Sequence, residues 1–145
     1  MIWSSNHKVV ASLDVGTTAS SGTATLTIDR LDYDHASISV MRASNSVTTF
    51  ATILKVQESD DNSSFSDVTA LVGGGTGGFT IPTVSNTSAA AIVKLDVDCR
   101  ARKRYLKVLY TPTTAVNVAI EARLARPHVS PASAADAGCI GIVNG

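Results

Sequence analysis

The amino-acid sequence predicts an all-β protein: an antiparallel β-sandwich of about eight strands, jelly-roll or Greek-key in arrangement. Three observations carry this expectation. Segments in which apolar and polar residues alternate recur about every dozen residues. Clusters of Gly, Ser, Thr, Asn, Asp and Pro separate them, and no useful stretch has the 3.6-residue period of a helix. Two long polar connections, residues 43–50 and 72–88, suit the crossovers of such a fold.

The chain has 145 residues, enough for one core and too few for two ordinary domains. Hydrophobic residues make up 44%, ample to bury that core, while charged residues are only 17%. Formal net charge is zero, so no bulk field draws the molecule to nucleic acid or to an anionic membrane. No run approaches the roughly 20 apolar residues of a membrane helix. The N-terminus lacks a charged region followed by an apolar one, so the expectation is a soluble protein made in the cytoplasm. Its two cysteines, Cys99 and Cys139, are too few for a disulfide framework and are expected as free thiols.

The elements follow in order. Residues 1–7 read as an N-terminal arm, with Ile2 and the single tryptophan, Trp3, as docking candidates if they do not tuck over the domain's own core. A body over residues 8–126 begins with Val9, Ala11, Leu13 and Val15 on one face. Gly16 to Gly22 reads as a turn. The next strand, Thr23 to Asp29, places Ala24, Leu26 and Ile28 inward. Asp32 to His35 punctuates before a third strand, Ala36 to Arg42, with Ile38 and Val40 inward, Tyr33 capping the core and His35 in a solvated turn.

The stretch Ile53 to Leu71 reads as a hairpin. Leu54 and Val56 alternate against Lys55 and Gln57, and the five short polar residues Ser59 to Ser63 favour a turn before Phe65, Val68 and Leu71. Its Asp60-Asp61 tip is expected to be solvated surface. Val72 to Gly78, with five glycines in seven residues, reads as a flexible surface loop. Strands at Ala89 to Val97, Tyr105 to Thr111 and Val116 to Leu124 follow, the last with Val116, Val118, Ile120, Ala122 and Leu124 inward. Residues 127–145 read as a C-terminal tail ending in the apolar Ile140, Ile142 and Val143, which favour a bound over a solvated state.

Several polar clusters invite a chemical reading. Asp60, Asn62 and Ser64 alternate as cation ligands would, but an EF-hand loop starting at Asp60 needs Gly where Phe65 stands and Glu where Leu71 stands. His35 with its neighbouring aspartates lacks a further ligand from elsewhere. The glycine run is followed by extended chain and Pro82 rather than a helix, so neither a P-loop nor a dinucleotide fingerprint fits. No Ser or Cys stands in a nucleophile motif, and His7, His35 and His128 lie far apart. No catalytic residue, metal or cofactor is therefore expected, and the chain reads as a non-enzyme. The passage Asp98 to Arg104 carries four basic residues within five positions. Arg100, Arg102 and Lys103 stand as partner-contact candidates, with a salt-bridging loop favoured over phosphate contact because no aromatic platform accompanies them.

Several elements together resemble a known family. They are Asp32-Tyr33-Asp34-His35-Ala36 opening a strand, and Val56-Gln57-Glu58-Ser59-Asp60-Asp61 with Phe65 and Asp67-Val68. Further on come Arg104-Tyr105-Leu106-Lys107-Val108 with Tyr110-Thr111, and the closing Ala122-Arg123-Leu124-Ala125-Arg126-Pro127. Across residues 8–127 this order resembles the small β-sandwich decoration, or cement, proteins of tailed-bacteriophage capsids. The resemblance implies a virion protein on the capsid exterior, binding the major capsid protein, a homo-oligomer with a trimer favoured, and no nucleic-acid or membrane partner. Two other readings stand beside it. A glycan-binding β-sandwich module would need an exposed aromatic platform, which Trp3, Tyr33, Tyr105 and Tyr110 alone would supply. Another virion component, a head-fibre base or tail protein, would differ in copies per particle.

Overall fold

The computed structural model describes residues 7–10 and 16–141. Ile2 and Trp3 of the arm, Ala11, Leu13 and Val15 of the first alternation, and Ile142 and Val143 of the apolar finish lie outside the described residues. Elsewhere alternation becomes strand. The strands are β1 (His7–Val10), β2 (Gly16–Thr18), β3 (Ala24–Asp29), β4 (Tyr33–Arg42) and β5 (Ile53–Ser59). They continue with β6 (Ser66–Val72), β7 (Ala91–Asp98), β8 (Tyr105–Thr111) and β9 (Val116–Pro127). One single-turn 3₁₀ helix, Cys99–Ala101, joins β7 to β8, capped by Asp98, which accepts from the Arg100 amide.

One sheet has the order β1-β9-β4-β7, with β2 also on β9, and the other has the order β3-β8-β5-β6. β1 and β2 pair with successive parts of β9, Ala122–Ala125 and Val116–Val118, and so share one position at the sheet's edge. The antiparallel pairs β2 with β9, β3 with β8, β4 with β7 and β5 with β6 are nested. The chain is thus a long hairpin ribbon rolled up on itself, and the β4–β9 and β5–β8 ladders close the roll. This is the jelly-roll arrangement.

The core is the set that alternation selects. Leu26, Ile28, Ile38, Val40, Leu54, Val56, Leu106, Val108, Tyr110, Ile120 and Leu124 are all buried between the sheets. Each fully buried aliphatic contributes about 1.5–3 kcal/mol relative to exposure. Tyr110 tilts against Phe50, ring centroids 5.2 Å apart, and its hydroxyl donates to the Phe50 carbonyl at 2.8 Å. Burial pushes the Tyr110 phenol up to about 12. Arg42 plugs the same end of the core: its guanidinium lies over Phe50 and donates to the Val47 and Thr49 carbonyls.

Four expectations change. Gly16 to Thr18 is strand rather than turn, because β9 is long enough to pair with it beyond β1. β4 starts at Tyr33, since Asp32 at φ 66° makes the turn by itself. His35 therefore lies within a strand, opposite Asp98 and Ala125, and not in a solvated turn. The glycine-rich passage is exposed, yet its own backbone orders it: the Gly74 amide donates to the Phe79 carbonyl at 2.8 Å, and the Gly78 amide to the Gly75 carbonyl at 3.0 Å. Beyond β9, the described part of residues 127–145 folds back onto β1. The Val9 amide donates to the Ala137 carbonyl at 2.8 Å, and Ala137 is buried. Gly138 packs so closely on the Val9 carbonyl that a side chain there would collide with it, and its φ of 73° favours glycine independently.

Candidate functional site

Antiparallel pairing gathers the described basic candidates, Arg100, Arg102 and Lys103, at one end of the sandwich. The end of β3, the start of β4, the β5–β6 hairpin tip, the 3₁₀ turn before β8 and the exit of β9 all lie there. One half of this end is charged. Because β8 lies beside both β3 and β5, the basic turn meets acidic residues on either side. The Glu58 carboxylate accepts from the Lys103 amide at 3.1 Å and lies 3.5 Å from the Arg102 guanidinium. The Lys103 ammonium lies 3.2 Å from Asp60, and Arg104 grips Asp29 with two hydrogen bonds, at 3.0 and 2.7 Å. Arg100 does the same to Asp98, at 2.9 and 2.5 Å. Arg30 crosses beneath, donating to the Arg102 and Lys103 carbonyls.

The basic cluster and the acidic hairpin tip, two separate features in the sequence, are thus each other's partners. Asp60 is solvated but not free. The Arg100 guanidinium holds the Asp98 carboxyl well below the usual carboxylate range, and Arg104 lowers Asp29 in the same way. Asp61 is held low by the Ser59 hydroxyl and by the Ser64 and Ser63 amides. These bonds build the turn, with Asn62 in the left-handed region at φ 57°. Of the partner-contact candidates, Arg100, Arg102 and Lys103 are therefore engaged within the chain.

The other half mixes exposed apolar groups with charged ones. Leu31 (49% exposed) and Val129 (81% exposed) line a shallow cavity of about 430 Å³ with Lys8, Asp29, Asp32 and Asp136. Ile140 projects fully into solvent from the segment that Gly138 anchors to β1. His128 fastens the start of that segment: its amide donates to the Asp32 carbonyl at 2.8 Å, and its imidazole Nε2 lies 3.1 Å from Asp34 Oδ1. Sequence reading found Ile140 but not Leu31, Val129 or the His128 latch. An isolated apolar residue in a turn carries no periodic signal, and the His128–Asp34 pair spans 94 positions.

The remaining reactive groups are held in place. His35 lies 3.8 Å from Asp96 on the outer sheet face. Both cysteines are free; Cys99 is fully buried, and burial pushes its thiol up to about 11. Among the described residues no group of three or more His, Cys, Asp or Glu side chains is arranged to hold a metal ion. Tyr33 and Tyr110 are buried, the Arg104 guanidinium covers the Tyr105 ring at 4.9 Å, and the Lys107 ammonium sits 3.6 Å from the Phe65 ring centroid.

No protein-family model matches the chain, and no curated protein does. Among solved structures, one similar chain is an exo-β-1,3-galactanase from Phanerochaete chrysosporium, at 10% sequence identity and a TM-score of 0.30. The match covers 81% of this chain and 26% of the galactanase, so this chain spans about a quarter of that protein's length. A TM-score this low carries no argument about activity.

Proposed function

We propose that this protein is a structural virion component, a capsid decoration protein that binds the outside of the major capsid shell and stabilises it. The observation that carries the reading is the division of the sandwich end. Its charged groups are consumed by one another, while Leu31, Val129 and Ile140 stay exposed on or beside the C-terminal segment. Apolar side chains held out from a rigid scaffold gain free energy by docking, and binding to the assembled shell adds that free energy to the shell's stability. The protein acts as a clamp rather than as an enzyme. The glycan-binding reading has less support, because the described tyrosines are buried or covered by a cation.

Capsids assembled without the protein, mixed with the purified chain and reconstructed, test the proposal. Saturable binding on the exterior at hundreds of copies per particle, with a raised disassembly temperature, is the expected result. Absence of binding, or a few dozen copies at a single vertex or tail site, overturns it.

A further inference from the structure

A sheet edge presents unpaired N–H and C=O groups that a protein must cover, bend or charge, or else use. In this sandwich the edges are β1/β2 and β7 in one sheet and β3 and β6 in the other. β1 is covered by the C-terminal segment at Ala137 and Gly138. β6 is bent: between its pairs with Lys55 and Gln57 it bulges, so that Val68 to Leu71 oppose Val56 alone. β3 also pairs without a break, with β8, and its outer edge faces the seam that β1 shares, where Lys8 and Asp29 line one cavity.

β7 is different. All of its residues, Ala91 to Asp98, pair in unbroken register with β4. Among the described residues no backbone group bonds to its outer edge. Its Asp96–Asp98 end opens onto a cleft of about 590 Å³, and its Ala91–Val93 end lines a second cavity, of about 250 Å³, with Pro82 to Asn86.

We propose that the partner of this edge is a second copy of the chain. β7 pairs antiparallel with β7 of the other copy about a two-fold axis at Leu95, and the two sheets become one. The register follows from overlap and charge: an axis at Val93 would pair only Ala91 to Leu95 of this strand. A two-fold axis normal to the sheet keeps outward residues opposite outward residues. Centring it on Lys94 or on Asp96 would set like charges face to face, which is destabilising. Centred on Leu95, it places Lys94 of each copy opposite Asp96 of the other, twice over. Within one strand these side chains already lie 3.1 Å apart, so the contact closes a ring of alternating charge. On the inner face Leu95 meets Leu95, and Val93 meets Val97, extending the apolar row of the core. At each end the exposed Ile92 meets the Asp98–Arg100 pair of the other copy, whose arginine stem offers it apolar cover. This contact is two-fold, in contrast to the trimer that the resemblance implies, and it does not depend on capsid binding.

Sedimentation equilibrium of the full chain at low salt and tens of micromolar tests it. The wild type is expected at twice the 15.0-kDa chain mass. Lys94→Asp and Asp96→Lys each create two like-charge pairs across the axis and weaken the dimer by about tenfold or more. An equimolar mixture of the two variants restores it, because each then faces its complement, and the double variant carrying both substitutions restores it in a single chain. Both side chains are about half exposed or more, and far-UV circular dichroism verifies that each variant keeps its strands. A wild-type monomer or trimer overturns the proposal, as does a dimer indifferent to the single substitutions or a mixture that stays dissociated.

Discussion

Two halves of one end of this sandwich solve the problem of exposure in opposite ways. At the β5–β6 and β7–β8 corner, carboxylates and cations from four strand ends are spent on one another, and the chain's densest run of charge becomes internal architecture. At the β3–β4 turn and the C-terminal segment, large apolar side chains are held outward by a latch at His128 and a close contact at Gly138. Charge density in a sequence does not by itself mark a docking site, because here its partners come from the neighbouring strands.

Substitutions separate the two halves. Glu58→Ala leaves the Lys103 amide and the Arg102 guanidinium without their acceptor in a half-buried site. It is expected to destabilise the fold by about 1–3 kcal/mol in urea titrations while leaving the proposed capsid binding unchanged. Joint substitution Val129→Asp and Ile140→Asp should do the reverse: about a tenfold loss of capsid affinity by co-sedimentation, with the urea midpoint held. If the second pair unfolds the protein and spares binding, the apolar half is packing rather than interface.

Acid sharpens the contrast. Asp29, Asp61 and Asp98 are held below their ordinary range in the folded state. Their contribution is complete above the unfolded carboxylate value, about 4, and is lost as pH falls below it, where the unfolded chain takes up protons first. The thermal midpoint should fall on acidification below about pH 4. In Asp61→Asn it should start lower at neutral pH and fall less. A midpoint indifferent to acid would mean that the charged corner adds nothing to folding. The smallest effect belongs to the rim: Lys103→Ala removes one exposed ion pair with Asp60 and should shift stability by no more than about 0.5 kcal/mol.

Much of the body was legible from residue order. β8 was placed at Tyr105 to Thr111, as observed, and β3 and β9 were displaced only at their ends. The inward residues from Ala24 to Leu124 follow because a period of two leaves each residue only one face to occupy. The errors fall where local signals compete. Gly16 to Thr18 looks like a turn until β9 supplies a partner, and Asp32 turns the chain more tightly than the run Asp32 to His35 suggests.

Sequence alone determines every strand except β2, their buried faces and the hairpin at Ile53 to Leu71, because these depend on alternation and on turn residues within a few positions. Which charges meet was decided by the tertiary structure alone. Glu58 and Lys103 stand 45 positions apart, and Asp29 and Arg104 stand 75 apart; they become neighbours only because the rolled ribbon sets β8 between β3 and β5. The outer edge of β7, which no described backbone group bonds, has the same origin: a strand's sequence fixes what it can pair with, and only the closing of the roll decides which strands lie at an edge.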